Sequence, residues 1–331
     1  MKTYNLALIG CGDMGAAHLE DIYYKENVKI KYLCDLNLER AELFKKKYGG
    51  ENAIADFKEA IAKEDVDIVI CATYPSTHLD VLKECIKHKK HLICEKPITT
   101  NLKDGEEFVR LVQENPDVKV LIGHILRHNT TYNTVREMIS SGAIGKPIIM
   151  RMSQNHQTQN QEKYINLIKE TSPIIDCGVH YIDVMQWFTD AKVVDVSGVS
   201  TTTDDRLPEG KYNYGMITAR LSDGSVGFYE AGWGATMSGD NVKEFIGPKG
   251  RIRIIYSKDR KTHQKDGNLI EYYKYPEKVF EMKNIEFQRK PTGAQLDYMI
   301  KMIENGVPAN PSICDVWESF KIAVDADSKI R

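Results

Sequence analysis

Residues 4–15 read Tyr-Asn-Leu-Ala-Leu-Ile-Gly-Cys-Gly-Asp-Met-Gly, and this stretch decides the fold. Its first six residues form a short apolar run, the pattern of a strand buried on both faces. Gly10, Gly12 and Gly15 then give G-x-G-x-x-G at the point where a strand ends and a helix begins. In that context each glycine has a use. The first permits the tight turn, the second lets a pyrophosphate approach the backbone, and the third lets helix and strand pack closely. The phosphates would rest on the positive end of the helix.

Asp35 stands 20 residues beyond Gly15, at the end of a second strand. That is the interval expected of a carboxylate that holds a ribose 2′-hydroxyl. A carboxylate repels a 2′-phosphate, and neither Leu36 nor Asn37 supplies a cation, so NAD is favoured over NADP; Arg40 is the one nearby argument for NADP. Strands are expected at Val28–Cys34, Asp65–Ala72, His91–Cys94 and Val118–Ile122. Helices are expected over 13–25, Asn37–Tyr48, Ser76–Lys87 and Asn101–Glu114. Strand and helix alternating in this way predict a doubly wound parallel sheet.

Beyond residue 123 the pattern changes. A helix over Thr131–Ser141 and a strand over Ile148–Asn155 precede a Gln-rich stretch and a helix from Pro173 to Phe188. Six strand-like segments follow between Val193 and Tyr275 with turns but no helices between them, which predicts a mostly antiparallel sheet. Helices near Gly293–Glu304 and Asp315–Lys329 close the chain. The fold class is therefore α/β, with an N-terminal Rossmann domain over 1–123 and a C-terminal α/β domain carrying a large open sheet over 124–331. No Ser/Gly linker marks the boundary, so the cleft between directly packed domains is the expected site.

Composition excludes several classes. Across 331 residues, 45 Lys+Arg stand against 47 Asp+Glu, which leaves no general field for a polyanion. The runs Lys45–Lys47 and Lys87–His91 carry no interleaved aromatics and read as solvated helix ends, so no nucleic-acid partner is expected. No apolar stretch is long enough for a membrane span, and the run before Cys11 is too short for a signal core. Seven cysteines without a CxxC pair suit free thiols in a reducing cytoplasm.

Two motifs carry the chemistry. Glu95-Lys96-Pro97 follows the strand His91–Cys94, and the carboxyl ends of parallel strands face the ligand crevice, so Lys96 is placed to reach a substrate. In the second half, Asp176, His180 and Asp183 fall at i, i+4 and i+7 of the expected helix, with Gly178 inside it. A histidine is a natural base for an alcohol proton. The same face, or His124 with His128, is weighed as a metal site. HExxH and paired-cysteine spacings are absent and Lys96 is a poor neighbour for a cation, so no metal is expected.

The order of these motifs, together with Ala72–His78, Gly123–Arg127 and Asp176-Cys177-Gly178-Val179-His180-Tyr181-Ile182-Asp183, resembles the glucose–fructose oxidoreductase, inositol dehydrogenase and rhizopine-catabolism (Gfo/Idh/MocA) family. The resemblance runs over nearly the whole chain. It implies that Lys96, Asp176 and His180 are catalytic, that the Lys96–Pro97 peptide is frequently cis, and that the large sheet joins a homodimer or homotetramer. The expected cofactor set is Gly10, Gly12, Asp13, Met14, Gly15, Asp35, Leu36, Asn37, Arg40, Thr73, Tyr74, Pro75, His78, Glu95 and Lys96. Substrate hydroxyls fall to Lys96, Arg127, Asn155, His156, Gln157, Tyr164, Asp176, His180 and Asp183. The chain departs from the family at Tyr74-Pro75-Ser76, where Thr-Pro-Asn is common, at His124 and His128, where aromatics are common, and over Gln154–Gln161.

The expected activity is NAD-dependent hydride transfer from a secondary alcohol of a sugar, inositol or related polyol. His180 takes the hydroxyl proton, Lys96 stabilises the alkoxide and Asp176 orients the pair. The alternatives sharing these motifs are an NAD-retaining glycoside hydrolase and a ketone or imine reductase. A nucleotide sensor without chemistry fits poorly, because Lys96 and His180 are both present.

Overall fold

The computed structural model describes residues 2–158, 161–260, 267–286 and 290–330. Gln159 and Asn160, within the Gln-rich stretch, lie outside the described residues. The chain divides into two compact units.

The first unit holds the chain up to Ile125 together with Lys290–Trp317. Its strands are β1 (Tyr4–Ile9), β2 (Val28–Cys34), β3 (Asn52–Ile54), β4 (Ile68–Cys71), β5 (His91–Cys94) and β6 (Val120–Ile122). All pair in parallel, in the order β3-β2-β1-β4-β5-β6. This is the doubly wound order of a Rossmann sheet, with its switch point between β1 and β4. Every residue of β4 is buried, as strands covered by helices on both faces require. The covering helices are α1 (Asp13–Ile22), α2 (Leu38–Tyr48), α3 (Phe57–Ala62), α4 (His78–Lys87) and α5 (Leu102–Glu114).

Local signals fix their ends. Asn37 accepts from the Arg40 N–H at 3.1 Å, and Asn101 accepts from the Asp104 N–H at 3.0 Å, each capping the helix that follows. Lys45–Lys47 do end α2, but Lys90 departs from the solvated reading. It is buried, and its ammonium donates to the carbonyls of Glu64 at 3.2 Å and Val66 at 2.8 Å. Strand β3 and helix α3 are too short and too exposed at their start to show a period in the sequence.

The second unit runs from Leu126 until the chain returns at Lys290, and takes in the tail from Glu318. Its helices are α6 (Thr130–Ser140), α7 (Gln161–Glu170), α8 (Pro173–Asp176) and α9 (Gly178–Thr189). Its strands are β7 (Ile149–Gln157), β8 (Val193–Thr201), β9 (Tyr214–Leu221), β10 (Val226–Gly234), β11 (Lys243–Gly247), β12 (Gly250–Ile255), β13 (Asn268–Lys274) and β14 (Val279–Ile285). They form one sheet in the order β14-β13-β12-β11-β7-β10-β9-β8, antiparallel except for β7 with β10.

Two helices remain, α10 (Thr292–Asn305) and α11 (Ile313–Lys329). The sequence boundary at 123/124 divides the chain once, whereas its contacts return α10 to the first unit. Thr292 donates to the Ala17 carbonyl at 3.0 Å and Asp21 at 2.7 Å, and Leu296 and Met299 join Leu19 and Ile22 in one core. The single helix expected over 173–188 is two, broken at Cys177. Helix α7 and edge strand β14 were not expected. Six of the seven residues of β14 are exposed, so no alternation marks it.

Candidate active site

In the first unit the glycine turn is built as its spacing requires. Gly10 has φ +101°, and a Cβ there would lie 2.6 Å from the Ala72 carbonyl oxygen. A Cβ on Gly15 would lie 2.1 Å from the Gly10 oxygen, so helix and turn touch through backbone. At Gly12, which precedes α1 without a side-chain cap, a Cβ would meet nothing within 4 Å. The result is an open, uncapped helix start fronting a bare backbone, the shape a pyrophosphate fits.

Asp35 closes this loop. Its carboxylate accepts from the N–H of Cys11 at 3.0 Å and of Asn37 at 2.9 Å. Arg40 lies against the same carboxylate at 3.4 Å, so its charge is directed to Asp35. Leu36 beside it is 94% exposed, and Asn37 is engaged in capping α2.

The turn after β5 carries Glu95, Lys96 and Pro97, joined by a cis Lys96–Pro97 peptide. Glu95 is buried and bonded to His18 Nε2 at 2.9 Å, a tie from α1 that the sequence reading missed. His18 is flanked by the apolar core positions Ala17 and Leu19, and nothing in its spacing marks a partner 77 residues away. Burial pushes the Glu95 carboxyl up, but the hydrogen bond and charge of His18, with Lys96 and Lys290, outweigh it and hold the group below its ordinary value. A carboxyl lowered on folding stabilises the protein above its unfolded value and loses that contribution as pH falls through the folded one. Glu95→Gln is therefore expected to flatten the acid side of the melting temperature against pH, read by thermal denaturation across that range.

Cys71, His78 and Cys94 also meet here, fully buried, with their ligand atoms within 4.8 Å of one another. Soft ligands in such a group suggest a cation. His78 Nδ1 also faces the Pro97 carbonyl at 3.0 Å and Nε2 the Thr73 carbonyl at 3.3 Å, so the ring N–H is taken up by a backbone acceptor. His78 thus sits behind the cofactor loop, while Tyr74 is exposed and Pro75 is buried at the start of a short 3₁₀ turn.

In the second unit Ser172 caps α8, accepting from the Ile175 N–H at 3.1 Å. Asp176 and His180 are both buried. Cys177 Sγ donates to Asp176 at 3.4 Å across the helix break. The break places Asp176 at the end of α8 and His180 in the first turn of α9. A Cβ on Gly178 would stand 3.4 Å from the Tyr229 ring, so α9 lies close on the sheet. Asp183 is held by Arg127 through paired bonds of 2.8 Å and 2.8 Å, and the Arg127 guanidinium lies 4.8 Å from the Trp187 ring centre. These two expected substrate contacts therefore grip each other.

Sheet register sorts the rest. Tyr229 faces α9 and pairs with Met152, so Gln154 and His156 share that face while Asn155 and Gln157 face the other way. Asn155 donates to Glu230 at 3.1 Å, Gln157 donates to the Ala235 carbonyl, and Gln154 meets His156 at 3.0 Å. Tyr164 on α7 packs on Trp233 with ring centres 5.5 Å apart. Lys243 was missed. It pairs with Met152 on the α9 face, is 1% exposed, bonds the Ser153 carbonyl and lies 4.6 Å from the Tyr181 ring centre; burial pushes its amine down to about 7. Its place two residues before Phe245, which is buried on the same face, was the available signal.

A Rossmann sheet with an open glycine cradle and an acid at the end of β2 defines a nicotinamide dinucleotide oxidoreductase. Residues 4–124 match the Gfo/Idh/MocA oxidoreductase family, NAD-binding Rossmann fold, and residues 132–253 match the Gfo/Idh/MocA C-terminal domain. The chain belongs to this family. It is 27% identical to a myo-inositol 2-dehydrogenase of Thermotoga maritima over 75% of this chain and 74% of that protein. It is 28% identical to inositol 2-dehydrogenase 1 of Mycolicibacterium vanbaalenii over 68% of this chain, a match spanning 64% of that protein, less than two thirds of its length. In fold it resembles the myo-inositol 2-dehydrogenase of Lactobacillus plantarum, with TM-score 0.82, 20% identity, and 99% of this chain and 97% of that one covered. Among the described residues no helix is long and apolar enough to cross a membrane.

Proposed function

We propose that this oxidoreductase uses NAD to oxidise a secondary alcohol of a cyclic polyol of the inositol type. The substrate class is drawn from the relatives that bear that name. The observation that carries the choice of cofactor is Asp35, fixed by two backbone N–H groups at the end of β2 with Arg40 turned onto it. A carboxylate held there accepts from a ribose hydroxyl and repels a phosphate. Gly10, Gly12, Gly15, Asp35 and the turn at Thr73 would hold the dinucleotide, which supplies the hydride acceptor when bound.

The chain's own groups manage the proton and the charge. His180 takes the hydroxyl proton on a ring nitrogen. Lys96 Nζ donates to the same oxygen and stabilises it as it becomes an alkoxide. Asp176 orients the base. A homodimer or homotetramer through the large sheet accords with exposed Ile149, Val199, Val226, Phe280 and Met282 on its strands. A cytoplasmic setting accords with seven cysteines of which none forms a disulfide among the described residues.

The test is a panel of inositols and open-chain polyols with NAD, read as NADH absorbance. Turnover with an inositol supports the reading; no NADH from any polyol overturns it. Asp35→Ser is expected to narrow an NAD preference over NADP by about tenfold or more, the worth of one charge-assisted bond to the ribose. The ratio of kcat/KM for the two cofactors checks it.

A further inference from the structure

The position of Lys96 depends on a turn whose own anchor lies elsewhere. Pro97, the next residue, offers its carbonyl to His78 Nδ1 at 3.0 Å. The other ring nitrogen of His78 faces the Thr73 carbonyl at 3.3 Å. His78 opens α4 and is 0% exposed, and its contact with the Pro97 carbonyl is buried. Thr73 follows β4 and Lys96 follows β5, and at their ends these strands are paired Cys71 to Cys94. A single imidazole therefore spans the two turns at the carboxyl edge of the sheet, where a Rossmann fold meets its ligand.

We propose that His78 is not a cofactor contact but a positioning residue, a staple whose Nδ1–H holds the Pro97 carbonyl and thereby the Lys96 turn, with its Nε2 edge packed beside the Thr73 turn. The polar surroundings of the ring agree with a fixed orientation. Thr73 Oγ1 bonds Thr77 Oγ1 at 2.6 Å and Cys71 Sγ at 3.2 Å, so the wall facing the ring is itself tied down. The hydrogen bond of Cys94 to Cys71, against burial, together with the His78 ring, holds the Cys71 thiol below its ordinary value. Only the Nδ1 position donates. An asparagine at 78 places its amide near the Nδ1 position, and a glutamine places its amide near Nε2.

The inference rests on the reading of Lys96 given above, and its test separates the two. Long-range proton–nitrogen correlation NMR of the nitrogen-labelled enzyme, with His78 assigned by its loss in His78→Asn, is expected to show a proton on Nδ1. An Nδ1 without one overturns the staple whatever the reaction is. In steady-state kinetics His78→Gln is expected to lower kcat by about tenfold, the scale of one lost buried hydrogen bond, with little change in KM for NAD. His78→Asn is expected to recover most of that kcat. Equal losses of kcat in both variants overturn the proposal and mark His78 as packing alone. Should the reading of Lys96 fail, Lys96→Ala keeps its rate; should only the staple fail, Lys96→Ala is inactive and the two His78 variants behave alike.

Discussion

Replacing His180 by alanine is expected to lower kcat by about 10²–10⁴-fold, the usual contribution of a positioned general base, while the affinity for NAD is unchanged. The groups that would hold NAD lie on β1, α1, β2 and the turns after β4 and β5, whereas His180 sits on α9 of the second unit. The loss therefore belongs in turnover and not in cofactor affinity. Titration of NAD by quenching of protein fluorescence, beside initial rates, separates the two. A variant that binds NAD normally and turns over near the wild-type rate would remove His180 from the mechanism. Its setting argues for the role: His180 is 8% exposed, on a helix pressed onto Tyr229 through Gly178, so the ring is held where solvent is scarce.

The second large effect is on stability. Arg127→Ala is expected to destabilise the protein by about 3–5 kcal/mol, because it strips a buried carboxylate of its bidentate partner. The side chain of Asp183 is 2% exposed and that of Arg127 10%. The guanidinium also lies over Trp187, so truncation removes packing as well as charge. Arg127→Lys is expected to recover only part of the loss, since an ammonium cannot supply the fork. Replacing both partners by apolar residues of similar size is expected to recover more than either single change. Thermal and denaturant melts check all three. If Arg127→Ala melts like the wild type but shows a raised KM for the polyol, Arg127 is a substrate contact and the structural reading fails.

The first sheet was legible because its signals are local. A buried parallel strand must be apolar throughout, a glycine turn must have its spacing, and caps such as Asn37 and Asn101 sit beside the helices they open. The motif residues Lys96 and Asp35 could be placed at strand ends for the same reason. What escaped depends on register or on distant chain. Whether Asn155 or His156 faces α9 is set by the pairing of β7 with β10, and a two-residue period states only that neighbours differ. The Arg127–Asp183 pair joins residues 56 apart, and His18–Glu95 joins residues 77 apart. Helix α10 carries a clear helical period but no mark of the core it enters. The break at Cys177 escaped because its backbone stays close to helical, with φ −90° and ψ −34°, so no glycine or proline punctuates it at that residue.

In the proposed reaction, hydride passes from the hydroxyl-bearing carbon of a cyclic polyol to NAD. The most direct measurement uses an inositol deuterated at its ring carbons, incubated with NAD and the enzyme, with the nucleotide product read by mass spectrometry. The wild-type protein is expected to give reduced nucleotide carrying one deuterium, and Lys96→Ala almost no reduced nucleotide. Reduced nucleotide without the label, or full labelling with Lys96→Ala, would contradict the proposed reaction.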